Sequence, residues 1–172
     1  EYNGKLCATY KYKKDFELPD DFVTALKNQN QKNRVILHFG AVDQKATVFV
    51  NDIFVGSHLG GYLPFSFDIT DYLENYSKKQ KITLVAEDNL NHFFPYGKQK
   101  KNRGGMWYTP VSGIWQTVWM EIVPEIYISK IKIRPDTKGF NLFVETTDTT
   151  ECKNAELQLA KSDNTNKNDF YF

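Results

Sequence analysis

Apolar and polar residues alternate along much of this chain. Between Tyr10 and Leu18 the even positions are mostly apolar and the odd positions polar, which is the period of a strand with one buried face. The same period predicts strands over 35–39, 46–50, 53–56, 65–69, 81–87 and 114–122. Asn51 and Asp52 both tolerate left-handed backbone angles, so they predict a tight hairpin turn between the strands that flank them.

No window of the sequence has a clear helical period. The best helical candidate runs from Asp20 to Gln31, and its polar tail of Asn, Gln and Lys favours a loop instead. Short strands separated by turns, without helices between them, favour an antiparallel sandwich over a fold in which strands and helices alternate. We therefore predict an all-β sandwich.

Pro124 marks a predicted boundary between two domains, over residues 1–124 and 125–172. Strands are predicted after it over 126–133, 140–145 and 155–160, and the polar stretch 163–169 resembles a flexible tip. Ordering the backbone costs roughly 1–2 kcal/mol per residue. Three short strands with few large apolar residues do not offset that cost alone. This segment therefore either leans on the first sandwich or begins a further domain.

Charge and length exclude several classes of protein. The 172 residues include 22 basic and 21 acidic ones, a balance that argues against a nucleic-acid or membrane-surface binder. No apolar run approaches the ~18 residues that cross a bilayer, and no signal peptide is visible. A complete (β/α)₈ barrel needs about 250 residues and does not fit. We expect a soluble protein, and the cysteines, Cys7 and Cys152, leave the periplasm and the cytoplasm of a bacterium equally open.

Residues 89–120 differ in composition from the rest of the chain. They contain all three tryptophans and no Asp or Glu, and the part over 92–110 has glycines, prolines and no alternation. This predicts a long irregular loop, which in a compact sandwich is usually functional or covered by a partner. Aromatic rings beside hydrogen-bonding groups suit a sugar, which has an apolar face and a rim of hydroxyls. The alternative is that these rings plug the sandwich or pack on a neighbouring domain.

The predicted contact residues for a sugar or a neighbouring domain come from this region and from the segment before Gly60. They are His58, Tyr96, Lys98, Gln99, Arg103, Trp107, Tyr108 and Trp115. The basic residues from Lys98 to Arg103 either meet an anionic sugar, pair with acids of another domain, or form a solvated face. His58 either bonds a sugar or stabilises its turn. No pair of histidines has zinc-type spacing, so neither a metal nor another cofactor is predicted.

A series of motifs follows in order between Tyr10 and Val123. They are HFGAVD (38–43), VFVND (48–52), GGY (60–62), PFSFDIT (64–70), GKQ (97–99) and MWYTPVSGIWQTVW (106–119). Together they resemble the amino-terminal domain of glycoside hydrolase family 2, which includes β-galactosidases and β-glucuronidases, and most closely its β-galactosidase-like members. Residues 127–145 resemble the first strands of the immunoglobulin-like domain that follows in that family.

The resemblance implies a galactose-binding-like jelly-roll sandwich followed by the start of an immunoglobulin-like sandwich. In the family this is a non-catalytic accessory domain, packed against a catalytic (β/α)₈ barrel that carries both glutamates of a retaining glycosidase. The implied partners are carbohydrate, the barrel and the immunoglobulin-like domain. The implied parent is β-galactosidase-like, with a β-glucuronidase-type parent and a free-standing carbohydrate-binding module or lectin as alternatives.

The sequence offers no catalytic residues of its own. Retaining hydrolysis needs two carboxyl groups about 5–5.5 Å apart. Glu87 and Asp88 are adjacent, but neighbours on a strand point to opposite faces, so we expect a solvated strand end there. Some family members send an acid from this domain into the active site, and Gly104 and Gly105 stand at the matching positions here. We expect no glycosidase activity in this chain alone, and two carboxyls converging beneath the loop would argue against that expectation.

Overall fold

The computed structural model of the chain describes residues 8–76, 79–102, 104–137 and 139–148, with the backbone of 160–161 and 170–171. The chain divides into two compact units, Glu1–Tyr127 and Ile128–Phe172. Each unit is described by itself below.

The first unit consists of short strands with one helix. Its elements are β1 (Ala8–Phe16), α1 (Asp20–Lys27), β2 (Asn33–Phe39), β3 (Val42–Asp43), β4 (Lys45–Val50), β5 (Ile53–Leu59), β6 (Phe65–Asp68), a single 3₁₀ turn (Thr70–Tyr72), β7 (Gln80–Asp88), β8 (Gly113–Ile114) and β9 (Val118–Pro124).

The strands of the first unit form an antiparallel sandwich. One sheet has the order β1-β7-β4-β5 and the other β6-β2-β9, while β3 and β8 pair as a short ladder. The core lies between the sheets, because the inward residues of β2 and β4 belong to one buried apolar cluster: Val35, Leu37, Phe39, Ala46, Val48 and Val50. The predicted all-β sandwich is confirmed.

The turn between β4 and β5 follows the prediction. Asn51 and Asp52 have φ angles of 50° and 63°, the left-handed region that a two-residue hairpin turn requires. The Asn51 side-chain amide donates to the Tyr72 carbonyl at 2.9 Å and to the Gln80 side-chain oxygen at 2.7 Å. These bonds tie the hairpin turn to the start of β7.

Helix α1 lies in the best helical candidate, 20–31, although the sequence analysis predicted no helix between the strands. Phe22 and Leu26 lie four residues apart, so they share one helix face, and that face packs against the sandwich core. Two aspartates in the first turn and Lys27 in the last are oriented favourably to the helix dipole. The helix ends before Asn28, so the polar tail of the candidate segment is non-helical, as predicted.

The described part of the second unit is a hairpin with little burial. Strands β10 (Ile128–Pro135) and β11 (Phe140–Thr146) pair antiparallel, and no side chain of these two strands is buried. The short strands β12 (Ala160–Lys161) and β13 (Phe170–Tyr171) also pair. The predicted strand over 155–160, apart from the backbone of Ala160, and the predicted tip over 163–169 lie outside the described residues. The boundary at Pro124 and the immunoglobulin-like character stay predictions.

Candidate functional site

The loop between β7 and β8, residues 89–112, carries a small ladder of its own. The Tyr108 N–H donates to the Lys98 carbonyl at 2.8 Å, and the Lys100 N–H donates to the Tyr108 carbonyl at 3.2 Å. Because side chains alternate along an extended segment, Gln99 faces away from Lys98 and Lys100. Gln99 is buried and both lysines are exposed. The irregular loop therefore has an inner, anchored side and an outer, cationic side.

Gln99 connects two parts of the loop to the sandwich. Its side-chain Nε2 donates to the Tyr96 carbonyl at 2.8 Å, and its Oε1 accepts the Val111 N–H at 2.6 Å. Its side chain also bonds the carboxyl of Asp43, at the end of β3. A single buried amide thus holds three separate segments of chain together.

Asp43 and Asp88 form a buried acidic pair beneath the loop. Asp88 is 1% exposed and accepts hydrogen bonds from the Leu90 N–H at 2.8 Å and the Ser112 hydroxyl at 2.6 Å. Asp43 is 6% exposed. Burial and then the charge of Asp88 raise the pKa of Asp43 to about 6, against the lowering effect of the bond to Gln99. The expectation of a solvated strand end is wrong for Asp88, because these loop partners enclose it.

Gly61 lies between the Asp43 carboxyl and the aromatic side chains of Tyr62 and Trp115. A Cβ atom at this position would collide with the Asp43 carboxyl, so only glycine allows the close approach. The Gly61 carbonyl accepts the Trp115 Nε1–H at 2.7 Å. The Trp115 ring in turn meets Tyr62 edge-on, with 5.7 Å between the ring centroids. The motif over 60–62 therefore links the buried acids to the aromatic surface.

Two cavities have Tyr62 and Trp115 in their lining. The smaller has a volume of about 190 Å³ and is lined by Asp43, Tyr62, Gln99, Val111, Ser112 and Trp115, with Gly113. The larger is a groove of about 770 Å³, lined chiefly by Tyr62, Pro64, Trp115, Gln116, Thr117 and Trp119. Tyr62 and Trp115 line both.

The structure disperses the remaining predicted contact residues. Trp107 and Tyr108 are exposed on the loop, and the Lys100 Nζ lies 5.3 Å from the Trp107 ring centroid. Tyr96 stacks on His92, with centroids 4.6 Å apart. Of the predicted set, Gln99 and Trp115 meet at one cavity, the smaller one.

His58 and Arg103 do not belong to that group. His58 lies in β5 and stacks on Phe65 at 4.3 Å, and it is not among the lining residues of either cavity. Arg103 lies outside the described residues. Whether any predicted contact residue touches a sugar stays a prediction.

Several residues of the site escaped the sequence analysis. Asp43 is an acid within a run of buried strand residues, and such an acid is a sequence signal for a site. Tyr62 follows a pair of glycines, which is a second signal. Ser112 and Trp119 gave no comparable signal, since each matters through a partner distant in sequence: Asp88 for the serine and His38 for the tryptophan.

Two further findings concern the described residues only. Within them, no three side chains of the types His, Cys, Asp or Glu come together where a metal ion could bind. The same ranges contain no helix with the length and apolar character needed to span a bilayer.

The family assignment follows from a comparison with known proteins. Residues 5–115 match the family described as glycosyl hydrolase 2, galactose-binding domain-like. The chain belongs to this family. The resemblance seen in the sequence is thereby confirmed, and with it the galactose-binding-like sandwich predicted for the first unit.

Individual relatives agree with this assignment. The family 2 domain is 31% identical to a β-galactosidase of Thermoanaerobacter pseudethanolicus over 121 residues, which cover 70% of this chain and 14% of the relative. It is 26% identical to a β-glucuronidase of Formosa agariphila, covering 69% of this chain and 11% of the relative. A crystal structure of Bacteroides uniformis β-glucuronidase superimposes with a TM-score of 0.53 and 25% identity over 70% of this chain and 12% of that one. The chain therefore spans only a small part of each.

Proposed function

We propose that this chain acts as a non-catalytic accessory domain of a larger retaining family 2 β-glycosidase. The observation that carries the proposal is the match over residues 5–115 to the family's galactose-binding-like domain, in a chain that spans 14% of the β-galactosidase and 11% of the β-glucuronidase described above. Such a domain shapes a wall of the substrate cleft and stabilises the assembly, while the reacting carboxyls belong to the catalytic barrel.

The acidic pair beneath the loop does not have the environment of a catalytic pair. Both oxygens of Asp88 already accept hydrogen bonds, from Leu90 and Ser112. The free oxygen of Asp43, Oδ1, is enclosed and abuts Gly61. A general acid and a nucleophile must both reach the scissile bond. Asp88 is 1% exposed, and Asp43, which lines the smaller cavity, is only 6% exposed, so we assign both carboxyls a structural role.

The outer side of the loop has the composition of an interface. Phe93 is 94% exposed, and Met106, Tyr108 and Val111 are each about two-thirds exposed, next to exposed lysines. Large apolar side chains that are exposed beside polar ones are typical of a contact with another protein surface. We assign this side to the contact with the catalytic barrel, and its lysines to acids there.

The parent substrate follows from the relatives. Their names divide between β-galactosidase and β-glucuronidase, so the proposed parent hydrolyses β-galactosides or β-glucuronides. The overall motif series favours the first of these.

A hydrolysis assay tests the non-catalytic role. Pure chain is incubated with 4-nitrophenyl β-galactoside and 4-nitrophenyl β-glucuronide, and release of nitrophenolate is followed. We expect no turnover above a buffer blank. Turnover that co-purifies with the chain and disappears in Asp43→Asn would contradict the proposal, since it would make the acidic pair catalytic.

A further inference from the structure

The larger groove exists because the chain bends between β8 and β9. The sequence period predicts one strand over 114–122, but the structure breaks it at residues 115–117. At this bend the Gly40 N–H donates to the Thr117 carbonyl at 2.9 Å, and a Cβ on Gly40 would lie 2.8 Å from the Cβ of Gln116. The close crossing therefore needs glycine at position 40. It leaves Trp115 and Trp119 on the two sides of the bend, at one groove.

The indole rings in this groove are exposed and yet held in place. Trp115 is 52% exposed while its Nε1–H bonds the Gly61 carbonyl and its ring edge meets Tyr62. Trp119 is 43% exposed while one face stacks on His38 at 4.8 Å, with 9° between the ring planes. Rings that are already immobilised lose little conformational freedom when a ligand covers them, which favours binding.

The groove is uncharged and has hydrogen-bonding groups. Its lining residues carry no side chain that is ionised at neutral pH, and they include Gln116, Tyr62 and Thr117, which have an amide and two hydroxyls. The cationic groups lie instead on the loop, at Lys98 and Lys100. A groove of about 770 Å³ is also within the roughly 300–1,000 Å³ range of small-molecule sites. The chemistry fits a neutral ligand with apolar ring faces and hydroxyl rims.

We propose that the groove between Tyr62, Trp115 and Trp119 binds an uncharged glycan. Sugar rings stack on the exposed indole faces, and their hydroxyls bond Gln116 and Thr117. This site goes beyond the proposed function, because the residues that line the groove lie wholly within the first unit.

The indole N–H signals of the wild-type chain test the proposal without any substitution in the groove. The chain has three tryptophans, so a ¹⁵N-labelled sample gives three such signals, and Trp107→Ala identifies its own by loss. Four neutral disaccharides (lactose, cellobiose, xylobiose and diacetylchitobiose) and glucuronate are titrated separately. We expect saturable shifts of the Trp115 and Trp119 signals with at least one neutral disaccharide, and none for Trp107.

A pair of matched variants then measures the contribution of the groove. Trp115→Ala is expected to weaken binding of the active disaccharide at least 10-fold, and Trp107→Ala, which removes a similarly exposed ring on the loop, to leave it unchanged. Three results overturn the proposal: no shift with any neutral disaccharide, shifts with glucuronate alone, or shifts confined to Trp107. Groove signals that move on dilution without sugar also overturn it, since a second copy would then cover the groove. The hydrolysis assay reports on the accessory role separately.

Discussion

The interior of the sandwich and its loop-bearing end use different residues for different purposes. Between the sheets the fully buried side chains are mostly aliphatic, with Phe39 as the single aromatic among the largest of them. At the loop end the buried side chains include the polar groups of Asp43, Asp88 and Gln99, and the three tryptophans are each at least 40% exposed. Burying an indole would have contributed strongly to the core. The placement of the indoles outside fits our proposal that the interior maintains the fold and that the loop end serves recognition.

The largest expected effect comes from the interior. Phe39 is 1% exposed and stacks on Phe65 at 4.8 Å. Phe39→Ala removes this packing and leaves a cavity, so we expect a loss of about 3–5 kcal/mol in the free energy of unfolding. Urea denaturation measures it. The matched control is Phe93→Ala at the loop end, where we expect a change within about 0.5 kcal/mol. Equal losses in the two variants would remove the distinction between the regions.

Substitution in the buried acidic pair is expected to raise the free energy of unfolding, by less than Phe39→Ala lowers it. The pKa of Asp43 is raised from 3.8 to about 6 in the folded chain. The folded state therefore holds a proton that the unfolded state has released between pH 4 and 6, and stability falls as pH rises through that window. Above it the ionised Asp43 costs about 2–3 kcal/mol. We expect Asp43→Asn to be more stable than wild type by up to about that amount at pH 8, and less dependent on pH between 4 and 6.

Urea denaturation at pH 4, 6 and 8 measures this difference, with Asp52→Asn as control. The hydrogen bond to Lys81 lowers the pKa of Asp52, so its contribution is present above the unfolded pKa and is lost as pH falls through the folded one. The two variants should therefore change the pH dependence in opposite directions. A less stable Asp43→Asn at pH 8 would show that the carboxylate is stabilised by a group other than Gln99.

The two regions also differ in how far the sequence predicts them. The two-residue period identified most of the strands and the Asn51–Asp52 hairpin, because each depends on neighbours in sequence, but it missed the break between β8 and β9. Helix α1 was missed because only eight residues are helical and its apolar face depends on contact with the core. The contacts of Asp43 and the groove at Trp119 were missed for a related reason, since their partners lie far apart along the chain. Local patterns predict elements, and the site depends on contacts between them.

The most direct test of the central claim combines stability and affinity in one variant. Trp119 is 43% exposed at the groove. Among the described residues, its one ring contact is the stack on His38. In Trp119→Ala we expect the free energy of unfolding to change by less than about 1 kcal/mol. The affinity for the neutral disaccharide that shifts the groove signals should fall at least 10-fold. A loss of several kcal/mol in stability with unchanged affinity would contradict the account, because the indole would then serve the fold rather than recognition.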